Sequence, residues 1–260
     1  VTAVAIAPDP ERLGGLAWTR RTRGRLTGAE RRRLLGAIAL GQVENLAGRA
    51  RLALGRVPRR AREIDADRFI PPDSKLAREA EEACREQPHL IAGHCYRTWM
   101  FGLALAALDR AVLDAELFYC AALVHDHGIS PTVPGVDFTL RSAERALACA
   151  SGAGTDRAAA ELMADGICAH TTPGVTPERD GPLACYVQWG AMVDGAGLRA
   201  WDISPANVQT ILARHPRGSG FKRDFAEVFR SEARAVPGGR FALLARCGVP
   251  LAVRLAPFPD

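Results

Sequence analysis

The sequence predicts an all-α protein, and three observations carry that expectation. Apolar residues recur at helical spacing in segment after segment from about residue 73 onward. Helix starts and stops bound those segments: Asp and Ser before them, Pro at first positions, Gly behind. No segment sustains the alternation of a half-buried strand; only 249–255 (VPLAVRL) reads as a short β-like stretch.

Taken in order, residues 1–26 read as a loose extension, with Pro-Asp-Pro, Gly-Gly and the basic run TRRTRGR. Thr27 or Gly28 caps a helix to about Leu54, with Leu34, Leu35, Ile38, Val43, Leu46 and Leu52 as its apolar stripe. Residues 55–72 form a basic, Pro-containing linker. Asp73 or Ser74 then caps a helix with Lys75 to Gln87 as its body, and Pro88 stops it. Residues 89–109 make one long apolar-rich helix, opened by His89 as a cap. Residues 114–127 make another, capped by Asp114 and closed by Gly128. A Pro/Gly loop over 129–137 precedes helices at 139–150, 156–169, 182–196, 205–214 and 222–235. Thr155-Asp156, Gly181-Pro182 and Ser204-Pro205 are good openings for the middle three. The predicted organisation is a basic N-terminal extension and linker over 1–70, and a metal-binding helical domain over 71–260.

Charge is divided unevenly. Residues 1–62 carry 14 Arg against 4 acids, whereas the remainder carries 20 basic against 25 acidic residues. The basic end has one aromatic residue, Trp18, before Phe69, so it lacks the stacking residues of single-strand binders. Nucleic acid is not the expected partner. Seven Cys, with no C-x-x-C pair and mostly within apolar stretches, read as free, buried thiols. No apolar run reaches the length of a membrane span. Residues 1–7 are apolar but have no basic segment before them, and Asp9 and Pro10 end the run, so a signal peptide is not expected and the expected location is cytoplasmic. A homo-oligomer stays open.

The chemistry-bearing residues cluster on three apolar helices. His125-Asp126 stands where AALV ends and Gly128 turns the chain. A buried carboxylate beside a buried imidazole needs positive compensation, which a divalent cation supplies. His94 interrupts an apolar helix 31 residues earlier, and Asp194 is the carboxylate near the end of YVQWGAMVDGAG. His94, His125, Asp126 and Asp194 therefore form an N/O ligand set for one divalent ion, Zn²⁺ or Fe²⁺ first, Mn²⁺ or Ni²⁺ also suited. The absence of thiolates points to an open, catalytic type of site.

The order His94, His125-Asp126, Asp194 on successive helices resembles the HD-domain superfamily of metal-dependent phosphohydrolases. The likeness is closer still to the cyanamide-hydratase-like branch. Its first segment, of the form H-x-x-R-[TV]-[WY]-x-[FY]-G, is matched by His94-Cys95-Tyr96-Arg97-Thr98-Trp99-Met100-Phe101-Gly102. Its second, D-x-E-L-x-x-x-A-x-L-x-H-D-x-G, is matched from Asp114 to Gly128. The likeness covers roughly residues 70–235. It implies an HD-domain helical bundle and a metal-dependent hydrolase or hydro-lyase acting on a small-molecule substrate. Two-metal relatives carry two further His between the HD pair and the last Asp. This chain has only His170 there, so one ion is expected.

His170, at a helix end, reads either as a catalytic and substrate-facing residue or as a helix C-cap. Arg97, one turn after His94, either binds an anionic substrate group or pairs with a carboxylate. Asp126 is expected both to ligate and to orient water. His127 is read as structural and His215 as surface or packing. Few cations stand beside the ligands, which favours hydration of a small nitrile-like molecule over hydrolysis of a polyphosphate. A nucleotide or phosphoester hydrolase, and a non-catalytic metal-binding regulatory module, are the alternatives.

Overall fold

The computed structural model describes residues 12–259. Among these, thirteen α-helices and four short 3-10 turns build the chain; no strand forms, and one isolated β-bridge joins Arg25 to Gly239. The all-α expectation holds.

The centre of the fold is an antiparallel pair, α4 (His89–Asp109) and α9 (Pro182–Ala196). Two glycines let them approach closely. A Cβ on Gly190 would run into the Thr98 carbonyl, and a Cβ on Gly102 would stand 2.7 Å from the Tyr186 carbonyl. The register thus steps one helical turn at a time, with Gly102 against Tyr186, Thr98 against Gly190 and His94 against Asp194. Around this pair pack α3 (Lys75–Arg85), α5 (Ala115–Val124), α6 (Phe138–Ala153) and α7 (Arg157–Ala169). The other side is covered by α10 (Pro205–Arg214), α11 (Phe221–Ala235), α12 (Arg240–Arg246) and α13 (Val249–Arg254). The one-turn helix α8 (Pro177–Asp180) leads into α9. The core is lined by α5, whose residues Leu117 to Val124 are all buried.

Side-chain caps open six of the thirteen α-helices of the described residues. Ser74, Asp114, Asp156 and Ser204 each accept a backbone N–H of the first turn. Thr27 forms a capping box with Glu30 at the start of α2 (Gly28–Ala53). Six of the seven cysteines are buried and all are free thiols.

Several expectations are corrected. Residues 249–254 are helical, because Gly248 turns the chain at positive φ and Pro250 sits in the first turn of α13. The helix expected over 114–127 ends at Val124, which leaves His125-Asp126 in the turn itself. His89 caps nothing: Pro88 holds the cap position of α4 and no side chain bonds there. On α2 the expected stripe is only partly used. Leu34 is buried and Leu52 packs on the core, but Leu35, Val43 and Leu46 are exposed.

The described part of the segment read as a loose extension, residues 12–26, is packed. Residues 1–11 lie outside the described residues. Arg12 makes buried ion pairs with Asp165 and, at 2.9 Å, Asp180. Leu16 and Trp18 of α1 (Leu16–Thr22) are buried, and the Trp18 indole donates to Glu30 at 2.7 Å. A seven-residue helix is too short to leave a periodic signature, which is why its packing was not legible. Residues 55–72 likewise dock: Ala61 and Ala66 are buried, and Asn207 accepts the Ala66 N–H at 3.0 Å.

Candidate metal centre

His94, His125 and Asp126 form a buried group whose ligand atoms all lie within 4.8 Å of one another, and such a group can hold a metal ion. The elements set this up. His94 lies on the face of α4 that meets α9. His125 ends α5, and Asp126 follows it outside helical geometry, at φ −106° and ψ 9°. Gly128 lets the chain pass under α6, where its N–H donates to the Ser142 hydroxyl at 2.8 Å and a Cβ would collide with the backbone of Phe138.

Each ring is oriented by a partner on Nδ1. His94 Nδ1 lies 2.7 Å from Asp194 Oδ2, and His125 Nδ1 lies 2.8 Å from the Ala122 carbonyl. His170, which ends α7, has Nδ1 2.6 Å from the Ile167 carbonyl. An acceptor at Nδ1 places the proton there and leaves Nε2 as a lone pair. The three Nε2 atoms all face Asp126. His94 and His125 stand 3.6 and 3.5 Å from its Oδ2, and His170 stands 3.5 Å from its Oδ1. The His125 Nε2 is buried with no hydrogen-bond partner among the described residues.

Burial sets the electrostatics. It pushes the His125 imidazole down to about 3 against the opposing pull of Asp126, so the ring is neutral and available as a ligand. For Asp126 burial acts upward, but the surrounding imidazoles outweigh it and hold the carboxyl below its usual range. Asp194 is likewise held low against burial, by Arg97 first and then His94.

Asp194, expected as a fourth ligand, stands behind His94 and outside the converging group. Its second oxygen accepts from Arg97 Nε at 2.8 Å, and Arg217 Nη2 donates to its backbone carbonyl at 2.8 Å. Arg97 therefore pairs with a carboxylate, the second of its two sequence readings; its Nη1 also donates to the His215 and Pro216 carbonyls, both at 3.1 Å. His127 points away from the centre, to Glu86 at 2.8 Å, and His215 stacks on Tyr96.

Two supports escaped sequence reasoning. Gln188 donates to the carbonyls of His170 and Thr172, fixing the turn that carries His170. Its signal was present, since it and Asp194 are the polar side chains within YVQWGAMVD. Arg240, 1% exposed, donates to the Cys168 carbonyl, the Thr172 hydroxyl and Asp137. Nothing in RFALLAR distinguishes that arginine from a solvated one. No family model matches the chain, and no curated protein matches it.

Proposed function

We propose that this protein is a metal-dependent enzyme of HD-domain type, a hydrolase or hydratase acting on a small molecule. The observation that carries the reading is the convergence of three Nδ1-anchored imidazoles on one buried carboxylate. The donors fit a divalent cation: neutral nitrogens, one carboxylate, and a buried Nε2 without another partner. His94, His125 and Asp126 would hold it, which suits Zn²⁺ or Fe²⁺ first and Mn²⁺ or Ni²⁺ next.

A divalent cation there supplies Lewis acidity and makes water acidic enough to attack at neutral pH. The chain's own groups do the rest. Asp194 fixes the tautomer and angle of His94, the role of a carboxylate behind a ligating imidazole. Asp126 presents one oxygen toward His94 and His125 and the other toward His170, so it links the metal side of the centre to a proton carrier. His170 exchanges a proton at Nε2, because Nδ1 is committed to the Ile167 carbonyl. The geometry favours His170 as acid–base group over a simple helix cap.

The deciding experiment is elemental analysis of the purified chain, followed by a screen of nitriles, amides and phosphoesters with and without chelator. About one equivalent of metal and a chelator-sensitive turnover are expected. A chain that takes up no Zn²⁺, Fe²⁺, Mn²⁺ or Ni²⁺ refutes the assignment.

A further inference from the structure

Arg141 and Glu232 carry buried polar atoms that the described chain does not use. Arg141 lies in the first turn of α6, with its Cβ 2.8 Å from where a Cβ on Gly128 would stand, two residues past Asp126. Its Nη1 donates to the Pro131 carbonyl at 2.7 Å. Its Nε and Nη2 are buried and have no hydrogen-bond partner among the described residues. Those two nitrogens are one edge of the guanidinium. Their parallel N–H bonds match the two oxygens of a carboxylate or phosphate.

Glu232 of α11 is 1% exposed. Its Oε1 accepts the Phe138 N–H at 3.2 Å, while its Oε2 has no partner among the described residues. Burial first, then the Asp137 charge, pushes this carboxyl up to about 8, which favours its protonated form at neutral pH. Asp126 adds to that rise, and Arg141 opposes it, so Glu232 stands in the field of both. The same Phe138 that meets Glu232 lays its ring edge-on to His170, with centroids 5.9 Å apart. Both residues thus adjoin elements that carry the centre: Arg141 lies against Gly128, which follows the His125-Asp126 turn, and Glu232 bonds the backbone of Phe138, whose ring meets His170. Arg97, the sequence's candidate for an anion, is spent on Asp194.

We propose that Arg141 anchors an oxyanion of the substrate, a carboxylate or phosphate taken bidentately on Nε and Nη2, with Glu232 Oε2 bonding a neighbouring polar atom of the same molecule. This rests on the metal-centre reading for its place in the reaction, and it narrows the substrate to a small molecule bearing one oxyanion group.

The probes are inorganic phosphate and acetate, added to the full chain at constant ionic strength and followed by thermal scans and calorimetry, with Zn²⁺ loaded and after chelation. The expected result is saturable binding in both states. Arg141→Gln should abolish it. Arg141→Lys, which keeps the charge and loses the fork, should weaken it by about tenfold or more. Stronger phosphate binding identifies a phosphoester substrate; stronger acetate binding identifies a carboxylate one. Dependence on Arg141 separates this site from anions that ligate the metal directly. Unchanged binding in Arg141→Lys overturns the proposal, as does a wild type without saturable binding up to about 50 mM, where screening is held fixed. Failure of the metal reading would look different: no zinc uptake, with the Arg141-dependent binding intact after chelation.

Discussion

Replacing Asp194 by Asn separates a ligand from a residue that orients a ligand. The Asp194 carboxylate is fully buried and meets His94 Nδ1 at 2.7 Å and Arg97 Nε at 2.8 Å, with Arg217 Nε at 3.7 Å. Asn keeps the shape and one acceptor oxygen but removes the charge. Two costs follow. Two buried guanidinium groups lose their shared counter-charge. Removing one partner of a buried pair costs about 3–5 kcal/mol, and the low end applies because an acceptor remains. For a chain of this size about 3 kcal/mol lowers Tm by about 6–12 °C. The second cost falls on the metal. Loss of the carboxylate behind a ligating His weakens metal affinity by about 10–100-fold. The assay is a Zn²⁺ titration against a competing chelator, paired with a thermal scan of the metal-free chain. The expected outcome is one equivalent of Zn²⁺ bound more weakly, with a lower Tm. If Asp194→Asn loses metal as completely as Asp126→Ala, Asp194 is itself a ligand and the reasoning from its place behind His94 fails.

Other outcomes follow from the same geometry. Asp126→Ala should lose most of the bound metal while keeping its helical circular dichroism; full occupancy would remove Asp126 from the ligand set. His170→Ala should keep the metal and lower turnover by about 10²–10⁴-fold, and retained turnover would mean the ring only caps α7. Trp18→Ala should cost about 3–5 kcal/mol by chemical denaturation, since the indole is 1% exposed and bonded to Glu30; a change under 1 kcal/mol would show that the segment is not part of the core. Glu232 supplies a pH test. Its carboxyl titrates near 4.5 unfolded and about 8 folded, so the folded chain holds the extra proton between those values. Its stabilising contribution is complete below about pH 4.5 and is lost as pH rises through 8. The Tm of wild type should therefore fall against that of Glu232→Gln across this window, and parallel Tm curves would refute the burial argument.

What the sequence made legible follows from range. His94, His125 and Asp126 could be picked out because each interrupts an apolar helix or ends one, a signal within about fifteen residues. The pairing of His94 with Asp194 was partly legible too, since both sit on apolar helices; the four-residue steps Gly102, Thr98, His94 against Tyr186, Gly190, Asp194 appear only once α4 and α9 are packed. Arg97 was visible beside the site, but which way its guanidinium turned depended on Asp194 and on the carbonyls of His215 and Pro216, 97 to 119 residues away. The docking of residues 12–26 was not legible. It rests on Arg12 reaching Asp165 and on Trp18 lying under Arg240, contacts between distant and locally unremarkable positions.

The division of charge inside the fold argues for where a cation belongs. Two carboxylates are buried at the centre of the molecule, and burying either is costly without compensation. Asp194 has its compensation built in, from Arg97 at 2.8 Å and Arg217 at 3.7 Å. Among the described residues Asp126 has no arginine or lysine in ion-pair contact; imidazoles at 3.5–3.6 Å surround it, and that of His125 is neutral at physiological pH. The demand for positive charge that no guanidinium among the described residues meets therefore falls on Asp126, at the point where the Nε2 atoms converge. A divalent cation would answer that demand and would also accept the lone pair of His125 Nε2, which is buried without a partner among the described residues. The arginines serve the same end from behind. By holding Asp194 ionised they keep an acceptor on His94 Nδ1, and so keep the His94 lone pair turned toward Asp126.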